Sequence, residues 1–140
     1  YRPFNLVVAD NSDAFWLRHD GAGPIGCQAI PPGFSMFTAR ERNDAESARV
    51  QNHLPRFEQA AVPDPNDGDW GEWEKLLASK EFSENSNSHE GAMCVKTIFG
   101  FGTVNASLIA LAAPEAAARR PLWRFSAGPP DENSFVNIDI

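Results

Sequence analysis

Short hydrophobic runs separated by turn-forming residues dominate the first forty positions of the chain. β-Branched and aromatic residues in such runs are typical of strands, while clusters of Asn, Asp, Ser, Gly and Pro mark the turns between them. The polar triplet that begins at Asn11 therefore indicates a hairpin. The pattern predicts four strands, over residues 4–10, 14–18, 27–30 and 34–38.

The spacing of the hydrophobic residues changes after residue 43. Val50, Leu54 and Phe57 recur at helical intervals, which predicts an amphipathic helix. Asn43 is a candidate N-cap for this helix, and the acidic residues that follow it suit the positive end of a helix dipole. Pro55 predicts a kink or a restart, because proline lacks the amide hydrogen that an interior helical position donates.

A second helix is predicted over residues 70–80, after a loop rich in proline and aspartate. Asp69 is placed to cap this helix. Its hydrophobic face consists of Trp70, Trp73, Leu76 and Leu77. We expect the two tryptophans to pack on a sheet; the alternative is a ligand-stacking role, since aromatic helix faces also line apolar cavities.

The last fifty residues return to strand-like patterns after the polar segment 83–90, which is expected to be a mobile connection. Gly100 to Gly102 predicts a hairpin turn between the first two of the late strands. The pattern predicts strands over residues 92–99, 103–111, 122–126 and 135–138.

Strands that precede and follow a helix pair predict an α+β fold, an antiparallel sheet covered on one face by that pair. The strands over residues 4–9 and 103–111 are hydrophobic on both faces, as in a sheet covered on both sides. The chain has enough predicted helix for one covering layer, so we expect another layer on the opposite face.

Composition excludes several classes of partner. The chain has 140 residues and a net charge of −7, which argues against a nucleic-acid surface and against docking on anionic lipid, because both need basic patches. No hydrophobic run approaches the roughly 20 residues that span a bilayer. Cys27 and Cys94 are far apart in hydrophobic contexts, so we expect both to be reduced core thiols of a cytoplasmic protein.

Local motifs for catalysis or metal binding are scarce. His19, His53 and His89 lack the spacing of a metal-ligand pair, and a zinc site is not expected. Cys94 has no base near it in sequence, which favours a buried thiol over a nucleophile. The nucleophile elbow of the form Gly-x-Ser-x-Gly does not occur. The Arg119–Arg120 pair precedes a proline and is interpreted as a solvated turn.

Three segments, taken in order, resemble the NRDE-motif family, also called the transport-and-Golgi-organisation family. They are YRPFNLVVADNSDAFWLRHDG at residues 1–21, IPPGFSMFTARERND at 30–44 and AMCVKTIFGFGTVNASLIAL at 92–111. The details look like a bacterial branch of that family. The resemblance implies half of the four-layer α-β-β-α sandwich of the N-terminal-nucleophile hydrolases.

The resemblance also implies that residues 1–140 are the C-terminal half of such a domain. The family's expected nucleophile is a cysteine at the chain start, whose own α-amino group serves as the base, and its Asn-Arg-Asp-Glu motif also belongs to the N-terminal half. Neither occurs here, because the first residue is Tyr1 and the sequence contains no such string. The expected partner is therefore the N-terminal half of the same protein.

The resemblance suggests three site residues. Asn43 is a candidate oxyanion-hole amide, because family members often place an Asn after the strand that precedes it, where this chain has Ala39. The alternative for Asn43 is the helix cap described above. Thr38 and Thr103 are candidates to line a substrate cleft, although Thr103 is also explained as a hairpin-stabilising residue. Some family members have an Arg after the turn threonine, where this chain has Val104, and a substrate-clamping cation is therefore missing there.

Two functional hypotheses follow from the resemblance. The first is a structural half of an amide hydrolase that acts on non-peptide C–N bonds. The second is a non-enzymatic binding or carrier protein for a hydrophobic metabolite, because the family has been linked to haem handling and to lipid metabolism. No cofactor is expected under the first hypothesis, and haem is a candidate ligand under the second. A third alternative is an independent α+β domain of unrelated function.

Overall fold

The computed structural model describes residues 2–82, 91–116 and 118–140. The strands and helices in these ranges confirm the α+β class. The strands, however, form two three-stranded antiparallel sheets, with orders β1-β2-β3 and β4-β5-β6, so the prediction of one sheet is wrong. The elements are β1 (Phe4–Ala9), β2 (Ala14–His19), β3 (Gly26–Ala29), α1 (Ala48–Gln59), α2 (Trp73–Leu77), β4 (Ala106–Ala110), β5 (Leu122–Ser126) and β6 (Val136–Ile138).

The first sheet has one covered face and one open face. Trp16 is 4% exposed, because the loop over residues 34–43 covers its face: the ring of Phe37 lies 5.4 Å from that of Trp16. Residues paired across antiparallel strands share a face. The pairs Leu6–Leu17, Val8–Phe15, Leu17–Cys27 and Phe15–Ala29 therefore lie together on the other side. We call these six residues the first open face; Leu6 and Val8 are about half exposed, at 49% and 51%.

The second sheet carries the largest described hydrophobic cluster on one face. Trp70, Leu108 and Phe135 are buried against one another, and Trp73 and Leu77 of α2 pack on them. The expectation that both tryptophans pack on a sheet is thus confirmed. The opposite side of this sheet, which we call the second open face, is hydrophobic and partly exposed. It consists of Ile109, Trp123, Phe125, Val136 and Ile138.

Helix α1 packs against α2. Ser47 caps it, with its hydroxyl 3.5 Å from the amide nitrogen of Val50. Asn43 is therefore not the cap, and that interpretation is wrong. The buried side chains of the helix are Val50, His53 and Phe57, and the Phe57 ring meets that of Trp73 edge-on at 5.4 Å. The helix continues through Pro55 without restarting.

Two predicted strands do not form. Residues 34–38 make a loop, and residues 92–99 contribute one isolated bridge, between Lys96 and Gly102. The second helix is shorter than predicted and begins at Trp73 after Glu72, so Asp69 is not its cap. The predicted connection over residues 83–90, which contains His89, lies outside the described residues.

Candidate functional site

A buried polar cluster in the described residues surrounds Cys94. This residue is 1% exposed, and its Sγ donates to Oδ1 of Asp131 at 3.1 Å. The other carboxylate oxygen of Asp131 lies 3.0 Å from Nζ of Lys80. Burial raises the pKa of the Cys94 thiol, and the hydrogen bond to Asp131 acts in the same direction. The thiol is therefore protonated at neutral pH and is a poor nucleophile, which confirms the expectation of a buried thiol.

The turn over residues 95–103 closes over this cluster. The amide of Val95 donates to Oγ1 of Thr103 at 2.9 Å, and the amide of Thr103 donates back to the Val95 carbonyl at 2.8 Å. Gly102 is required because a Cβ there would lie 2.7 Å from that same carbonyl oxygen. The predicted turn thus forms a few residues earlier than expected, over residues 97–101, while Gly102 pairs with Lys96. The Thr103 hydroxyl is engaged next to it.

Asp131 stabilises the fold in a pH-dependent way. The hydrogen bond from Lys80 lowers the pKa of Asp131, and the bond from Cys94 adds to this effect. A lowered folded-state pKa contributes stability that is present above the unfolded value of about 3.9 and is lost as the pH falls through the folded value. We expect Asp131→Asn to lose about 1–2 kcal/mol of unfolding free energy at pH 7, because the ion pair with Lys80 disappears while the thiol keeps an acceptor.

Urea unfolding of both proteins between pH 7 and pH 2 checks this expectation, and the difference should shrink below pH ~4. Glu132→Gln is the matched control. Its exposed pair with Lys96 should contribute under about 1 kcal/mol. A constant difference between wild type and Asp131→Asn across the whole pH range would contradict the assignment.

Asn43 is committed to its own loop. Its backbone is in the left-handed region at φ 54°. Its Oδ1 accepts from the Met36 amide at 2.6 Å, and its Nδ2 donates to the Phe34 carbonyl at 3.2 Å. The Asn43 amide also donates to the Met36 carbonyl at 2.9 Å. The Asn43 side chain therefore fixes the first three residues of the segment 34–38, at Phe34 and Met36, to the end of the loop.

The three predicted site residues are not joined by shared hydrogen-bond partners in the described chain. The carbonyl of Thr38 accepts from Nδ2 of Asn5 at 2.8 Å, which ties the 34–43 loop to β1. Thr103 instead bonds within the 93–103 segment. Val104, at the position where a clamping cation would be expected, is 75% exposed. Sequence reasoning missed Asp131 entirely, because no local motif links it to Cys94.

His53 is fully buried, at 0% exposure. Its Nε2 lies 3.1 Å from the Glu81 carbonyl, while Nδ1 has no hydrogen-bond partner among the described residues. Desolvation by burial is the main cause that lowers its pKa, and the neighbouring arginines add to it. A neutral His53 is therefore a structural core residue of α1.

The two cysteines differ in their environments. Cys94 is buried as expected, but Cys27 is exposed on β3, so its prediction as a core thiol is wrong. The reason is that β3 lies at the sheet edge and the first open face has no covering layer in the described structure. Among the described residues, no group of three or more His, Cys, Asp or Glu side chains is arranged to hold a metal ion.

Two adjoining clefts lie beside the Pro65–Trp70 loop. The larger, of about 590 Å³, runs between this loop and strands β5 and β6. The second, of about 490 Å³, lies against the end of β4 and the alanine-rich segment after it. The described residues that line them include no His, Cys, Met or Tyr. These are the side chains that ligate haem iron, so neither cleft offers haem an axial ligand.

Comparisons with protein-family models, with curated proteins and with solved structures found no match to this chain. Within the residues that the structure describes, no helix is long and apolar enough to cross a membrane.

Proposed function

We propose that this chain is a structural half of an N-terminal-nucleophile-hydrolase-like protein. In this proposal a separate polypeptide segment, corresponding to the N-terminal half of the NRDE-type domain, supplies the nucleophilic cysteine and covers the open faces of the two sheets. The proposed chemistry of the assembled protein is hydrolysis of a non-peptide amide bond. The observation that carries the proposal is the pair of uncovered hydrophobic sheet faces.

The two faces favour a further layer for an energetic reason. On the first open face, strand pairing places six apolar side chains together without a charged residue between them. On the second open face, Ile109 and Val136 are 62% and 54% exposed. Burial of apolar surface stabilises by about 25 cal/mol per Å², and contiguous exposed patches of this kind mark interaction sites. A segment that lay on both open faces would bury the apolar surface of both patches.

The described residues fit a supporting role rather than a nucleophilic one. Cys94 is buried, and this burial, together with the hydrogen bond to Asp131, raises the pKa of its thiol. Cys27 is exposed but belongs to the first open face. Its directly paired residue is Leu17, which is not a base. The proposal therefore assigns the nucleophile to the covering segment.

Native mass spectrometry and N-terminal sequencing of the tagged chain, purified from its own cells, test this proposal. We expect a second chain that begins with cysteine and contains Asn-Arg-Asp-Glu, and whose terminal cysteine is labelled by an amide-mimicking electrophile. Val8→Lys and Ile109→Lys, one on each open face, should abolish its recovery, because a buried unpaired charge costs several kcal/mol.

Ile98→Lys is the matched control. Ile98 is 92% exposed but lies on a turn rather than on an open face. The Ile98→Lys variant should therefore still co-purify with the second chain. Recovery of a homodimer that Val8→Lys dissociates would mean that a second copy covers the faces, and the proposal would be wrong. It would be equally wrong if both open-face variants retained the second chain unchanged.

A further inference from the structure

The two clefts beside the Pro65–Trp70 loop form one groove. Four residues line both of them, so the clefts adjoin along a common wall. The shared residues are Pro65, Asn66, Arg120 and Leu122. Each cleft by itself falls within the range of about 300–1,000 Å³ that is typical of small-molecule sites. We refer to the whole as the Arg120 groove.

The walls of the second cleft are mainly small and hydrophobic. Beyond the shared wall they come from the end of β4 and the segment that follows it. These residues are Ala110, Leu111, Ala112, Ala113, Ala116 and Arg119. The segment is tied in place, since the Ala112 carbonyl accepts from Nδ2 of Asn11 at 2.8 Å. Small side chains on a fixed backbone leave a channel that suits a slender aliphatic chain.

Two arginines make the groove positively charged where its two clefts meet: Arg120 lines both clefts, and Arg119 lines the second. In the part of the chain that the structure describes, neither Arg119 nor Arg120 forms an ion pair with an Asp or Glu side chain. Arg120 donates through Nη1 to the Ile140 carbonyl at 3.1 Å. A guanidinium has five donor hydrogens, so Arg120 keeps capacity for a ligand. Arg124, which lines the larger cleft, is instead neutralised by Glu74.

The acidic groups are unevenly distributed. Asp139 is the one carboxylate side chain among the described lining residues of the larger cleft, and the second cleft has none. The chain as a whole carries a net charge of −7, so an anion is repelled over most of the surface. Two adjacent arginines without an Asp or Glu partner among the described residues are therefore a local exception, and they border an apolar channel.

We propose that the Arg120 groove binds an aliphatic monocarboxylate. The carboxylate pairs with Arg120 and Arg119, in the bidentate geometry that guanidinium groups favour, and the hydrocarbon tail lies in the alanine-lined second cleft. One carboxylate has two oxygens and can accept from both guanidinium groups, while Arg120 keeps its hydrogen bond to the Ile140 carbonyl. The second cleft, which takes the tail, has no lining residue on an open face, whereas the larger cleft shares Trp123 and Ile138 with the second open face.

Isothermal titration calorimetry with decanoate tests the proposal on the chain as it stands. We expect saturable binding with one site, weakened about tenfold in Arg120→Gln and more in the double variant with Arg119→Gln, because each charge-assisted bond contributes about that factor. Arg2→Gln changes the net charge equally at an exposed position outside the groove. It should bind decanoate like the wild type.

Two further ligands separate the roles of charge and tail. Decanol has the tail without the charge and acetate has the charge without the tail, so both should bind at least tenfold more weakly than decanoate. Equal binding of decanoate and decanol would overturn the proposal. So would undiminished binding in the double arginine variant, which would place the ligand on an open face instead.

Discussion

Trp70→Ala is expected to lose about 3–5 kcal/mol of unfolding free energy, the range for removing a large aromatic side chain from a core. Trp70 is 6% exposed and forms the described core cluster of the second sheet with Leu108 and Phe135. The residues around it belong to different elements, so the structure can collapse only partly into the space that the ring leaves. In a domain of this size the melting temperature should fall by roughly 10 °C.

Circular dichroism at far-ultraviolet wavelengths measures this loss without depending on tryptophan emission. Trp123→Ala is the matched control, since it removes the same side chain from the second open face. Trp123 is only half-buried and meets Phe125 edge-on at 6.0 Å, a contact that contributes about 0.5–1.5 kcal/mol beyond its buried area. If the two variants lost equal stability, the cluster around Trp70 would not be the core of this sheet.

The first hairpin illustrates what the sequence predicts well. Strands β1 and β2 lie within a residue of the predicted ranges, because the polar triplet after Asp10 fixes the turn. Oδ1 of Asp10 accepts from the amides of Ser12 and Asp13 at 2.7 and 2.9 Å. Local hydrogen bonds of this kind depend only on neighbouring residues. Strand β5 also has the predicted bounds, Leu122–Ser126.

Residues 34–38 and 92–99 show the opposite case. Both have the hydrophobic content of strands, but their backbone groups form hydrogen bonds outside a sheet. The backbone of Met36 bonds to Asn43, and the amide of Cys94 donates to the Ser79 carbonyl at 2.9 Å. A hydrophobic run indicates burial, and a neighbouring strand is needed before it becomes sheet. That neighbour is a property of the tertiary structure, and no local pattern reports it.

The candidate site was predictable to a similarly limited degree. The burial of Cys94 follows from its hydrophobic context, but its partner Asp131 is 37 residues away, in a turn rich in proline. The groove arginines were recognised as a pair and interpreted as a solvated turn. The position of these arginines between two clefts depends on how the Pro65–Trp70 loop packs against β5. This packing involves residues far apart in sequence, so no local pattern predicts it.

Asn43 bears on both the stability of the chain and its proposed role. Asn43→Ala is expected to lose about 2–4 kcal/mol of unfolding free energy. Part of this loss is the pair of side-chain bonds to Met36 and Phe34, at about 1 kcal/mol each or somewhat more where the backbone group stays unsatisfied. The rest is strain, since alanine at φ 54° costs roughly 1–2 kcal/mol relative to a residue that tolerates the left-handed region.

Asn43→Gly separates the two contributions, because glycine adopts the left-handed conformation freely and lacks only the side-chain bonds. Urea unfolding should place Asn43→Gly between the wild type and Asn43→Ala. If Asn43→Gly were as stable as the wild type, the side chain would not hold the 34–43 loop, and its amide would be free for an oxyanion. In that case, the loss in Asn43→Gly should appear in the amide hydrolysis rate of the assembled protein rather than in its unfolding free energy. The present geometry favours the stability effect, since both polar atoms of the side chain are already engaged within the loop.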